Sequence, residues 1–319
     1  VSGDVTYTGS YEARRSARFT VRAAAKINLH LGVGAPREDG FHPLDTVYQA
    51  VSLYDDVAVH PADDWSVTTT VAEHLGEVEL PGPGENIVDR VAELLCAHGC
   101  APGCAPQARV EVSKTIPVAG GMAGGSADAA AALVALDRLW ELETPDDRLL
   151  EIAALLGSDV PFSLLGGTAR GLGRGEVVTP LTDTATWSWV VVPATGGLST
   201  PAVYRHFDEL RPDAPAEPPS AEPVLRALAS GDPYALAAAL HNDLQAAAID
   251  LRPDLGDLID LGESKGALRG LVSGSGPTVV FLCASAESAR EVAAALAATH
   301  PHALLAHGPV AGAHLVEMD

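Results

Sequence analysis

Between Pro117 and Ala130 the chain reads PVAGGMAGGSADAA, four glycines in a short loop that joins an alternating segment at 109–115 to an Ala-rich run reaching about Trp140. A strand, a tight turn and a helix in that order leave few choices of fold. Glycines let the backbone approach a ligand and turn successive N–H groups inward, and the helix that follows adds about half a positive charge at its start. A polyphosphate is the natural occupant, so Pro117, Val118, Ala119, Gly120, Gly121, Met122, Ala123, Gly124, Gly125, Ser126 and Ala127 form one candidate nucleotide-binding segment. Ser126 either caps the helix or donates to a phosphate or a metal shell. The plain alternative is a tight turn with an ordinary serine cap. No Lys follows Gly125, which excludes a Walker A loop, and no acidic residue ends a following strand, as a dinucleotide fingerprint requires.

Such a ligand raises a problem of charge. The formal net charge is −22, with Lys only at 26, 114 and 265, so positive potential must be assembled locally. The same imbalance argues against nucleic-acid binding, which needs a basic stripe. A length of 319 residues with 47% hydrophobic content supports one large or two ordinary domains. Neither an apolar stretch long enough to span a bilayer nor a charged leader with an apolar core is visible, and a cytoplasmic protein with no membrane partner is expected. Residues 1–19 carry Arg14, Arg15 and Arg18 and read as a loose N-terminal tail. Cys96, Cys100 and Cys104 surround His98, but their spacing is not that of zinc knuckles, and Cys96 ends an apolar helical run.

Residues 20–31 alternate as a strand, with Val21, Ala23, Ala25, Ile27, Leu29 and Leu31 on one face and Arg22, Lys26, Asn28 and His30 on the other. A second strand is expected over 46–59, helices over 86–97, 126–140 and 146–156, and a buried strand over 187–194. Residues 211–224 are a Pro-rich loop, followed by helices at 222–230 and 233–249. The end reads as a Gly-rich turn at 273–277, a strand, a helix and a strand. This order gives an α+β chain whose second half is a two-layer sandwich. The glycines at 166–175 and 274–276 are weak signals alone. Lys26 is an isolated strand lysine, and Asp159 stands before Val160-Pro161, where it either caps the next helix or holds a carboxylate near a substrate.

Four segments, taken in order, resemble the GHMP kinase superfamily: Ala25-Lys26-Ile27-Asn28-Leu29, the loop 117–130, Gly157-Ser158-Asp159-Val160-Pro161 and Ser273-Gly274-Ser275-Gly276-Pro277. The resemblance runs from about residue 20 to the C-terminus. It implies an N-terminal domain like ribosomal protein S5, taken as 1–175, and a ferredoxin-like C-terminal domain, 176–319. It also implies ATP and Mg²⁺ as cofactors, with Lys26 and Asp159 catalytic and Asn86 and Lys114 near the adenine and ribose. The segment 37–45 is similar to that of the branch acting on a cytidine-diphosphate-linked methylerythritol. By that resemblance Phe41 and Tyr204 sandwich the cytosine and His42 bonds its edge, with Asn28, Thr200, Gly274, Ser275 and Gly276 also on the substrate. Met122, Ala123 and Ala127 depart from the usual loop, which has Leu, Gly and Ser there. Rival readings are a homoserine- or mevalonate-type kinase, a non-catalytic nucleotide sensor on the same fold, and a nicotinamide-dependent oxidoreductase.

Overall fold

The first two strands, β1 (Phe19–Val33) and β2 (Leu44–His60), pair antiparallel along nearly their whole length, Phe19 opposite Val59 and Val33 opposite Leu44. They belong to a computed structural model that describes residues 18–318 except 77, 83, 100–106, 119 and 195. Residues 1–17, Cys100, Cys104 and Ala119 therefore lie outside the described residues. The alternation expected in β1 holds, but its polar side is covered too: Lys26, Asn28 and His30 are all buried. The register shifts between Ala24 and Ala25 and again between Asn28 and His30, irregularities of the kind that re-aim side chains beside functional sites.

Around this pair an eight-stranded sheet forms in the order β12 (His314–Met318), β1, β2, β4 (Ala108–Lys114), β3 (Trp65–Val71). The hairpin β5 (Thr168–Gly173) and β6 (Val177–Leu181) extends it from the start of β2, and the two-residue β8 (His241–Asn242) lies parallel to β1. A second, antiparallel sheet has the order β11 (Leu304–Gly308), β7 (Trp187–Val192), β10 (Val279–Cys283), β9 (Arg269–Val272). The expected boundary at 175/176 thus falls inside the β5–β6 hairpin, and 177–181 and 314–318 are strands of the first sheet. The hairpin was not expected, because its glycines masked the short alternating runs on either side.

Helix α1 (Ile87–Gly99) packs against helix α2 (Gly124–Leu139), which packs on the first sheet. Ala127, Ala129–Ala132 and Ala135 bury α2 on most of its circumference, and side chains this small let the helix lie close against β1 and β2. Helices α3 (Asp146–Leu156) and α4 (Val160–Leu165) follow, then α5 (Thr200–Leu210) and α6 (Glu222–Ser230).

The single helix expected over 233–249 is instead α7 (Pro233–Ala239), β8 and α8 (Gln245–Leu251). Asn242 is the reason. Its amide donates to Val272 O and Gly274 O at 2.8 Å each, its Oδ1 accepts Leu244 N–H at 2.9 Å, and the neighbouring Asp243 accepts Val33 N–H at 2.9 Å. These bonds fasten the segment to β1 and to the turn at 273–277 and outweigh local helix propensity. Helix α9 (Asp254–Ser264) and helix α10 (Ala286–Leu296) cover the second sheet.

Candidate active site

The loop between β4 and α2 is locked by its neighbours before any ligand arrives. Gly120 O accepts Thr278 N–H at 3.2 Å, Gly121 O accepts the Ser273 hydroxyl at 3.1 Å, and Met122 O accepts Lys26 N–H at 3.1 Å. At Gly121, with φ of 77°, a Cβ would lie 2.1 Å from Ser273 O, so only glycine fits this crossing. The motifs around Lys26, the glycine loop and Ser273–Pro277 therefore interlock physically. Beneath the loop, Lys114 Nζ meets Asp55 at 2.6 Å and Asp128 at 2.5 Å, and Asp55 also accepts Thr115 and Ile116 N–H groups at 2.5 and 2.8 Å. One ammonium thus ties both stems of the loop to β2.

Above the loop opens a cleft of about 1160 Å³. Lys26 and Asp159 face each other in it, Nζ to Oδ2 3.7 Å. Lys26 is buried, not solvated, and Asp159 sits at the N-cap of α4 but makes no side-chain cap bond, which leaves its carboxylate to the cleft. Asn28 Oδ1 accepts from Lys26 Nζ at 2.8 Å, its amide donates to Thr46 Oγ1 at 2.8 Å, and Thr46 donates to His30 O at 2.7 Å, a relay that fixes where the ammonium points. Ser126 is no cap, since α2 already begins at Gly124 with Ala123 as N-cap; its hydroxyl lines the cleft.

Opposite the glycine loop, Phe41, His42 and Tyr204 line the same cleft, with the His42 and Tyr204 rings 4.9 Å apart. Thr200 Oγ1 and Ser275 Oγ meet at 2.7 Å, closing the wall between α5 and the 273–277 turn, where Gly274 and Gly276 also border the space.

Not every expected residue reaches the cleft. Met122 and Ala127 are fully buried in the core, Pro117 is buried, and Val118 is half-buried and outside the cleft's lining. Asn86 caps α1, accepting Val88 N–H at 3.0 Å, while Asp89 accepts Asn86 N–H at 3.0 Å. Lys114 is held by its two carboxylates.

Sequence reasoning missed Tyr48, Arg174 and Asp208. Tyr48 is packed under β5–β6 with a Cβ at Gly175 excluded by its hydroxyl at 2.1 Å; burial, and then the charge of Asp159, push its ionisation well above the usual range. The phenol stays neutral. Arg174 lies over the Phe41 ring at 4.9 Å, inside the glycine cluster judged weak, and Asp208 is one helical turn beyond Tyr204. The cations lining the cleft, Lys26, Arg174 and Arg205, supply the local positive field that the net charge denies elsewhere.

The chain matches the GHMP kinases N terminal domain over residues 86–167 and the GHMP kinases C terminal domain over 224–302. It is 66% identical over 297 residues to the 4-diphosphocytidyl-2-C-methyl-D-erythritol kinase of Nocardioides sp. (strain ATCC BAA-499 / JS614), covering 93% of this chain and 99% of that one. With the kinase of the same name from Thermobifida fusca it shares 53% identity over 304 residues, covering 93% and 98%. The crystal structure of a 4-(cytidine 5'-diphospho)-2C-methyl-D-erythritol kinase superposes with a TM-score of 0.71 at 33% identity, covering 90% of this chain and 98% of the other. A paired lysine and carboxylate, a glycine loop at a helix start and this likeness along nearly the whole length agree: the chain belongs to the 4-diphosphocytidyl-2-C-methyl-D-erythritol kinase family of GHMP kinases.

Proposed function

We propose that the protein transfers the γ-phosphate of ATP to the 2-hydroxyl of 4-diphosphocytidyl-2-C-methyl-D-erythritol, in the methylerythritol phosphate route to isoprenoid precursors. The observation that carries this is one cleft in which the Lys26–Asp159 pair lies between the glycine loop and the Phe41, His42 and Tyr204 cluster. Phosphates lie on the N–H groups of Gly120–Ser126, and the cytosine lies at the aromatic end. Asp159 accepts the proton of the acceptor hydroxyl as its oxygen attacks the γ-phosphorus. The new P–O bond forms as the bond to the bridging oxygen breaks, and ADP leaves with that electron pair. Lys26, held by Asn28, lies against the charge that builds on the transferred group. Asn86 and Lys114, which brace the start of α1 and the stems of the loop without lining the cleft, would act on the adenosine end through those elements.

Mg²⁺ would be held mainly by phosphate oxygens and water, with the Ser126 hydroxyl, which borders the cleft, as its candidate protein ligand. No group of three His, Cys, Asp or Glu gathers among the described residues to hold a metal alone. When bound, the ion neutralises phosphate charge. ATP and the cytidyl acceptor are the partners, and a cytoplasmic location suits both; no described helix is long and apolar enough to cross a membrane.

The test is Mg²⁺-dependent ADP release with the cytidyl acceptor, run beside mevalonate, homoserine and galactose. Turnover with the cytidyl acceptor alone is expected. Turnover with another acceptor would discard the substrate, and silence with all four would favour a nucleotide sensor.

A further inference from the structure

The aromatic end of the cleft contains a polar pair that the transfer chemistry does not use. His42 Nε2 lies 2.8 Å from Asp208 Oδ1. His42 is 8% exposed, its ring tilted 40° to the Tyr204 ring at 4.9 Å and edge-on to Phe207 at 6.2 Å, so it is hemmed in on two sides. Tyr204 and Asp208 are four residues apart on α5 and share one face, which makes the ring contact and the carboxylate contact a single unit. Both residues, with His42, line the cleft.

A carboxylate only accepts, so the contact places a proton on Nε2 of His42. In the neutral ring Nδ1 then carries a lone pair, and Nδ1 makes no hydrogen bond to a described residue. A nucleobase beside it must offer a donor. Cytosine offers its exocyclic amino group at the edge where uracil offers a carbonyl oxygen, and two facing lone pairs would leave both groups unpaired in a mostly buried place.

We infer that Asp208 is a positioning residue for base selection: by holding the proton on Nε2 it presents His42 Nδ1 as an acceptor, which selects an amino-bearing pyrimidine over uracil. This rests on the reading that the acceptor's base lies at the aromatic end. Leaving one buried acceptor unpaired disfavours the wrong base, and a preference of roughly 10- to 100-fold for cytosine is the expected scale.

The test reads base selection with and without turnover, in mildly alkaline buffer. Calorimetric titration with CMP and UMP should show the intact protein preferring CMP, and kcat/KM for the cytidine-diphosphate-linked acceptor should exceed that for its uridine analogue. In Asp208→Asn the amide can donate to Nε2 and move the ring proton to Nδ1, so both preferences should fall by at least about tenfold, with the KM for ATP holding. Asp208→Glu, which keeps an acceptor, should retain the preference for CMP. Unchanged preference in Asp208→Asn, or equal weakening toward both bases, would overturn the inference. Base selection that depends on Asp208 without turnover of the cytidyl acceptor would overturn the proposed reaction and leave this inference standing.

Discussion

Lys26 stands where an ammonium is expensive, buried in the middle of β1, and its surroundings show what offsets that cost. Asn28 accepts from it at 2.8 Å, and Asp159 faces it at 3.7 Å. Such a group is preorganised before charge develops, and losing it should cost about 3 to 4 kcal/mol of transition-state stabilisation. Lys26→Met and Asp159→Asn should therefore each lower kcat by roughly 10²- to 10³-fold with smaller changes in KM; steady-state kinetics with near-normal kcat in either variant would remove that residue from the chemistry. A second residue carries strain. Ala123, the N-cap of α2, has φ of 58°, a left-handed conformation that a Cβ disfavours. Ala123→Gly should raise the unfolding free energy by up to about 1 kcal/mol in urea titration; a loss of stability would mean that the methyl group packs more favourably than its backbone is strained.

At the scale of elements, the stems of the glycine loop depend on the cluster of Asp55, Lys114 and Asp128. Burial pushes the Asp128 carboxyl up to about 8, with Lys114 opposing the rise and Asp55 adding to it. An acid whose folded pKa exceeds its unfolded value binds more protons folded than unfolded, so its contribution to stability is complete below the ordinary carboxylate range and is lost progressively until pH reaches about 8. Wild-type melting temperature should fall from about pH 5 to about pH 8, and Asp128→Asn, which does not titrate, should show a shallower fall over that window. Equal slopes would place the proton elsewhere.

The cluster also marks what the sequence could and could not disclose. The strand at 20–31, the loop and α2 were legible because glycine chemistry and periodicity are local. Asp128 was not, since Lys114 and the second carboxylate on that ammonium, Asp55 on β2, come beside it only in the fold. The same limit hid the break at Asn242, whose carbonyl partners lie at 272 and 274, and the return of 314–318 to the first sheet. Asp208 was hidden more thinly: a helix period from Tyr204 would have placed it beside His42, had the clamp been read as a surface and not as two rings.

The molecule as a whole joins its two sheets tightly. Trp189 on β7 donates to Gln49 on β2 at 3.0 Å, β12 and β8 flank β1, and one apolar core takes residues from both sheets. Charge works against this compactness: 42 acidic residues face 20 Lys and Arg, and a net charge of −22 repels itself more strongly folded than unfolded. Several of the ion pairs that could offset it are exposed and close in sequence, such as Arg37–Asp39 and Arg90–Glu93, and pairs of that kind contribute little. Added salt should then screen more repulsion than attraction, because the Debye length shrinks to about 8 Å near physiological ionic strength and long-range repulsion fades before buried contacts do. Raising NaCl from about 0.01 M to about 0.15 M should lift the melting temperature, and because the core is shared, far-ultraviolet circular dichroism and tryptophan fluorescence should move together through one transition. A melting temperature that falls with salt would show that surface pairing outweighs the excess charge, and two separated transitions would show that the sheets unfold independently despite their common core.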